Sequence, residues 1–277
     1  PNTQLMFMSK LQKHSSSAQK SLLAAFIVSA LACNTDSYAE KVDSNDSASI
    51  CGATVDWQDV ETYDGSLGPS TTFVDKRQRP VGYMVEVGCS GTLLERDLFL
   101  TAGHCVGTST VGSTVRFNYQ KNSAGTGLRA ASDYAVTKVE EDRIGGLDYA
   151  ILRLAGNPSS TFGTSVPSGF DIESGEAITI IQHPARLPKV IEGGTLGYRA
   201  DGRVSYSDLD TEGGSSGSGV LQNSTGLVIG VHTSGTWDDS CGPGDPNKGE
   251  AMVDLYVQST IVRELAIDPA KVVAILG

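Results

Sequence analysis

Three short segments carry the residue types of nucleophilic catalysis, in the order histidine, aspartate, serine. The first is Leu98-Phe99-Leu100-Thr101-Ala102-Gly103-His104-Cys105, an apolar run that closes on small residues and delivers a histidine beside a cysteine. A lone histidine is usually structural, but a general base must be held in a fixed position, and a strand end pinned by a disulfide provides one. The second is Gly145-Gly146-Leu147-Asp148-Tyr149-Ala150-Ile151-Leu152-Arg153-Leu154, where an acid opens an apolar strand. Such an aspartate often serves only its turn. In catalysis it would accept a hydrogen bond from His104, fix the imidazole tautomer and stabilise the imidazolium. Asp133, Glu140, Glu141 and Asp142 lie nearby, but none opens so apolar a strand. The third is Thr211-Glu212-Gly213-Gly214-Ser215-Ser216-Gly217-Ser218-Gly219-Val220. A Gly/Ser run can be a mere flexible loop. Set between apolar strands, it can turn tightly enough to aim the amides of Gly214 and Ser216 at one spot, an oxyanion hole worth ~3–4 kcal/mol per donor.

The elements that must position these groups read as short strands. From Val81 onward, segments such as VGYMVEV, DLFLTA, STVRFNY, YAILRL, EAITIIQ, GLVIGVH and EAMVDLYV are separated by Gly, Pro, Asn and Ser, the pattern of an all-β sandwich or barrel. One helix is expected near the C-terminal end, from Val257 to Ala266. Asn157–Gly169 reads as a connector between two subdomains. Ahead of the strands, Lys10, Lys13 and Lys20 precede the apolar run Ser21–Cys33, which is short for a bilayer span and suits a signal peptide cleaved after Ala39. Residues 40–79 then form a polar leader that a propeptide could partly occupy. The alternative of lipidation at Cys33 rests on Ala30-Leu31-Ala32-Cys33, an imperfect lipobox and the one route to a membrane.

Without residues 1–39 the chain holds 18 basic and 31 acidic residues, a formal charge of −13. That excludes nucleic acid as an expected partner and fits solubility outside the cell, extracellular or periplasmic. In an oxidising compartment the remaining Cys51, Cys89, Cys105 and Cys241 should form two disulfides, with three pairings open. None has CxxC spacing and no histidine cluster accompanies them, so no metal is expected. The acidic loop Asp238-Asp239-Ser240-Cys241-Gly242-Pro243-Gly244-Asp245 matches no calcium-loop spacing and reads as solvated.

Together the TAGHC, GLDYAILRL and GGSSGSG segments resemble the trypsin-like serine peptidases over roughly Val81 to Ala266. The resemblance implies an all-β, chymotrypsin-like fold of two packed six-stranded antiparallel barrels, 80–160 and 161–277, with a C-terminal helix. It makes His104, Asp148 and Ser216 the catalytic triad, Gly214 and Ser216 the oxyanion hole, and a monomer acting on protein or peptide substrates without a cofactor. Gly213-Gly214-Ser215-Ser216-Gly217 also fits the nucleophile elbow of α/β-hydrolases, centred on Ser215. That fold needs an acid and then a histidine downstream amid βα units, and only His232 follows.

Ser215 stands where trypsin has the aspartate that receives a new N-terminus, so that activation switch is absent. The turn is more similar to the bacterial glutamyl and lysyl endopeptidases. The resemblance implies Cys89–Cys105 and, after the lysyl branch, Cys51–Cys241. It leaves the residue preferred before the scissile bond (P1) divided. Asp210 lies where trypsin carries its P1-binding acid, and Asp245 or Glu250 could serve as in the lysyl branch, all favouring Lys or Arg. Thr211 with His232 matches the positions that hold a P1 carboxylate in the glutamyl branch. The sequence alone inclines to a basic P1. A secreted esterase, or a catalytically silent binding module on the same fold, remains the rival function. His183, before Pro184, reads as structural.

Overall fold

The computed structural model describes residues 50–200, 202–236 and 241–268. The expected signal segment, Cys33, the leader up to residue 49 and Asp238, Asp239 and Ser240 lie outside them. The first barrel is built from β2 (Val81–Met84), β3 (Cys89–Leu94), β4 (Leu98–Thr101), β5 (Thr114–Phe117), β6 (Ser132–Asp142) and β7 (Ala150–Leu154). All pairings are antiparallel, in the closed order β2-β3-β4-β7-β6-β5. Two register shifts within β6, at Val136/Lys138 and Val139/Glu141, supply the bending that closure demands.

Strand alternation divides the side chains of β4 between two cores. Phe99 points with Leu93, Phe117 and Leu152 into the barrel, where it meets Phe117 edge-on at 6.1 Å and Phe117 stacks on Phe162 at 4.7 Å. Leu98 and Leu100 join a second cluster with Tyr149, Ile151, Ile181, Leu221 and Val231, which runs between the two halves of the molecule. This double burial explains why β4 reads as a continuous apolar run. Space for the aromatic rings comes from Gly82, where a Cβ would lie only 3.0 Å from the Phe99 ring and 3.1 Å from Phe117.

The second half comprises β8 (Ala177–Gln182), β9 (Val190–Thr195), β10 (Arg199–Ala200), β11 (Arg203–Tyr206), β12 (Gly219–Gln222), β13 (Val228–Ser234) and β14 (Asn247–Ala251). With β1 (Gln58–Asp59) they form an antiparallel sheet of order β1-β9-β8-β12-β13-β14-β11-β10. The six strands from β9 to β11 are a half-barrel, lengthened at its edges by β1 and β10, around Ile178, Ile180, Val204, Tyr206 and Ile229. The two-barrel, all-β architecture implied by the sequence is thus present, with the first barrel closed.

From residue 50 the leader is part of the folded body. β1 pairs with β9, the helix α1 (Thr71–Arg77) is capped by the Ser70 hydroxyl, and Val60, Tyr63 and Val74 enter the central core. Gly193 has no room for a side chain because a Cβ there would overlap the Leu67 carbonyl. The connector holds a short helix, α2 (Pro158–Phe162). The expected helix Val257–Ala266 is instead two, α3 (Met252–Gln258) and α4 (Thr260–Leu265). Ser259 is extended at φ −89° and ψ 128°, and its hydroxyl accepts the Val262 amide at 2.8 Å, so it ends one helix and starts the next.

Candidate active site

His104 occupies a single 3-10 turn, Gly103–Cys105, that leaves the end of β4. The Cys89–Cys105 disulfide ties this turn to β3. Its imidazole Nδ1 lies 2.7 Å from Asp148 Oδ2, and its backbone N–H donates to Asp148 Oδ1 at 2.8 Å. Asp148 immediately precedes Tyr149 and β7, which pairs with β4, so strand pairing brings the two segments side by side. Arg143 fastens the turn from outside by donating to the carbonyls of Gly103 and Val106. Burial alone would raise the Asp148 carboxyl, but the His104 side chain and amide, with Arg143, outweigh it and hold the group below its ordinary value. An aspartate so held is ionised and accepts from Nδ1–H, which leaves Nε2 as the basic nitrogen.

The serine turn is seated against the same strand end. The Ser216 carbonyl accepts the Ser90 amide at 2.8 Å, and the Gly217 amide donates to the His232 carbonyl at 2.8 Å. Gly217 has φ +87°, and a Cβ there would collide with Ser90 O and Thr101 Oγ1 and lie 2.9 Å from Ala102 N. Only glycine permits that approach, and it sets Ser216 beside the backbone two residues before His104. Gly214 has φ +104°, its Cβ position is filled by the backbone of His183, Gly88 and Arg186, and its amide meets no protein acceptor among the described residues. Ser215 is fully buried and its hydroxyl accepts the Glu212 amide at 3.1 Å, bracing the turn from within.

The structure adds residues that the sequence did not single out. Ser90, fully buried, donates its hydroxyl to the Gly214 carbonyl at 2.7 Å and accepts the His183 amide at 3.0 Å. Its own carbonyl takes the Thr101 hydroxyl at 2.8 Å. One residue, through its hydroxyl and its carbonyl, therefore joins the serine turn, the histidine strand and the His183 loop. Its only local signal is its place next to Cys89. Glu250, weighed from sequence as a P1 acid, accepts the Asp148 amide at 3.1 Å instead. Burial raises its carboxyl, tempered by that amide. His183 is fully buried, its Nδ1 lies 3.0 Å from the Leu187 carbonyl, and burial with nearby Lys189 depresses it to about 3. A histidine held neutral in this way packs rather than catalyses.

The remaining predicted site residues split. Asp210 is 1% exposed, and its carboxylate receives the Cys51 amide at 2.6 Å and the Asp56 amide at 3.2 Å, so it anchors the leader. Asp245 pairs with Lys248 at 3.4 Å. Thr211 is fully buried with its hydroxyl unpartnered. His232, also buried, has Nδ1 2.5 Å from the Tyr206 hydroxyl. The second disulfide, Cys51–Cys241, closes 190 residues of chain.

Among solved structures the chain resembles a Glu endopeptidase in complex with MPD, with a TM-score of 0.55 and 20% identity over 75% of this chain and 96% of that one. It also resembles neuropsin, a serine protease expressed in the limbic system of mouse brain, with a TM-score of 0.52 and 14% identity over 68% and 95%. Both likenesses are of fold. A curated relative, secreted RxLR effector protein 73 of Plasmopara viticola, is 31% identical over 169 residues, or 53% of this chain and 41% of that protein. The chain thus spans about two fifths of that relative's length. Residues 89–231, just over half of the chain, match the trypsin-like peptidase domain. That segment holds the histidine turn, the aspartate and the serine turn alike, and by this match the chain belongs to the trypsin-like peptidase family.

Proposed function

We propose that this chain is a secreted serine endopeptidase that cleaves peptide bonds through His104, Asp148 and Ser216. The observation that carries the reading is the Asp148–His104 pair at 2.7 Å, set at the strand end on which the Ser216 turn rests. In the reaction His104 Nε2 takes the Ser216 Oγ proton as the oxygen attacks the scissile carbonyl carbon. The oxyanion is held by the amides of Gly214 and Ser216. His104 then protonates the leaving amine, and water hydrolyses the acyl-enzyme with His104 as base again. Secretion is supported by the two disulfides and by the apolar N-terminal run.

For the P1 residue the geometry favours Glu or Asp over the basic residue to which the sequence inclines. Asp210, Asp245 and Glu250 are each engaged, by leader amides, Lys248 and the Asp148 amide respectively. Thr211 offers a buried hydroxyl without a partner. Burial holds the Tyr206 phenol protonated, so it can donate to His232 Nδ1, which places the proton of a neutral ring on Nε2. Both support an acidic side chain.

Mass-spectrometric mapping of every bond cut in a denatured protein mixture tests this, with Ser216→Ala as control. Cuts after Glu and Asp that vanish in Ser216→Ala are the expected result. Cuts after Lys or Arg would reverse the P1 assignment. No cuts from the folded, processed chain, with hydrolysis of ester substrates or with no hydrolysis at all, would replace the endopeptidase by the esterase or the silent binding module.

A further inference from the structure

Three carboxylates meet where the leader crosses the second half of the molecule. Asp56, Glu192 and Asp210 each offer an oxygen within 4.8 Å of the others. Glu192 and Asp210 are both 1% exposed, while Asp56 faces solvent. Asp210 takes the amides of Cys51 and Asp56, and Glu192 Oε1 takes the Gly193 amide at 3.2 Å. Glu192 Oε2, however, is buried with no donor at all. No basic side chain among the described residues pairs with any of the three, and the charges acting on Glu192 are those of Asp56 and Asp210. A buried carboxylate oxygen that lacks both donor and countercharge is strongly unfavourable, and a shared positive charge is the direct remedy.

We propose that Asp56, Glu192 and Asp210 form a binding site for a hard divalent cation of the calcium class, which clamps the leader to the second half-barrel. Ligand oxygens 2.3–2.6 Å from one Ca²⁺ are at most about 5 Å apart, which the cluster satisfies, and the exposed flank at Asp56 leaves room for waters to fill the coordination shell. The site is distinct from the His104 pair, and the Cys51 amide on Asp210 links it to the Cys51–Cys241 disulfide. It adjoins Thr211 through Asp210, so on the endopeptidase reading the ion also steadies one wall of the P1 pocket.

The competing way to settle these acids is a shared proton. Burial, then Asp56 and Asp210, push Glu192 up to about 9 without a cation. Binding separates the two and does not depend on catalysis. The full processed chain, carrying Ser216→Ala to prevent self-cleavage and stripped of metal, is titrated with Tb³⁺. Its luminescence is read by excitation of Trp57, the chain neighbour of Asp56. Saturable emission that Ca²⁺ displaces is expected, with affinity reduced at least about tenfold by Glu192→Gln and by Asp56→Asn. At a hundredfold excess over its Kd, Ca²⁺ should raise Tm by about 5–10 °C, and Trp57→Phe should lose the emission but keep that rise. Absence of saturable binding, a Tm indifferent to Ca²⁺, or binding untouched by both carboxylate substitutions overturns the proposal. Should Glu192→Gln fail to fold, the exposed Asp56→Asn still decides it.

Discussion

On the endopeptidase reading, Asp148 is the side chain on which the chemistry of this site turns, because one carboxylate performs two tasks. Oδ1 holds the main chain of His104 and Oδ2 holds its ring, so both the position and the tautomer of the base depend on it. Asp148→Asn preserves the shape but offers an N–H to one of two donors. It should lower kcat by about 10⁴ with KM changed by less than about threefold, as steady-state kinetics on a peptide substrate would measure. The pairing of His104 with Asp148 was legible in sequence because each stands at a strand end in a distinctive local frame. Ser90 was not, although it links the serine turn, the histidine strand and the His183 loop. Its partners lie 124 and 93 residues away along the chain, and no local pattern records such distances. Asp210 shows the converse: its offset from Ser216 matches a pocket acid, and nothing local in the sequence announced that the leader amides of Cys51 and Asp56 also reach it.

Among the elements, the leader and the two disulfides decide how firmly the site is framed. The pairing of Cys51 with Cys241 and of Cys89 with Cys105 was implied by family resemblance, and the residues alone left it open. In a chain-entropy account the closure of 190 residues stabilises by roughly 5 kcal/mol and that of 16 by roughly 3 kcal/mol. Replacing Cys51 and Cys241 together by serine should therefore lower unfolding free energy in urea more than replacing Cys89 and Cys105. The smaller loss should weigh more on kcat, because Cys105 adjoins His104. A polar composition without periodicity hid the structure of residues 50–79, whose strand is only two residues long and whose helix is a mere seven. The C-terminal helix was legible as an apolar face, but not its break, because Ser259 serves equally as a helix residue or a cap until the neighbouring packing selects one.

At the scale of the whole molecule, one charged side chain, that of Lys189, is fully buried where the leader meets both halves. Its fully buried ammonium donates to the Gln78 carbonyl at 2.8 Å and to Gln120 Oε1 at 3.1 Å, linking the end of α1, the 118–121 segment and the start of β9. Burial, reinforced by Arg129, lowers it to about 7. Below about pH 7 the folded and unfolded chains both carry this proton. Between about 7 and the ordinary value of 10.5 only the unfolded chain does, so the group makes the fold more stable as pH rises through that window, by at most about 1.4 kcal/mol per unit. Lys189→Met should remove that gain, read as the difference in urea unfolding free energy between about pH 6 and about pH 9. The paired comparison isolates Lys189 from Glu192, whose raised carboxyl acts in the opposite sense. The Cys51–Cys241 bond also sets a schedule. At about 5–20 residues per second of synthesis, the second cysteine follows the first by roughly 10–40 s. Throughout that interval Cys51 waits without its partner, so the covalent clasp between leader and second half closes only after the segments carrying Asp210 and Ser216 have been made.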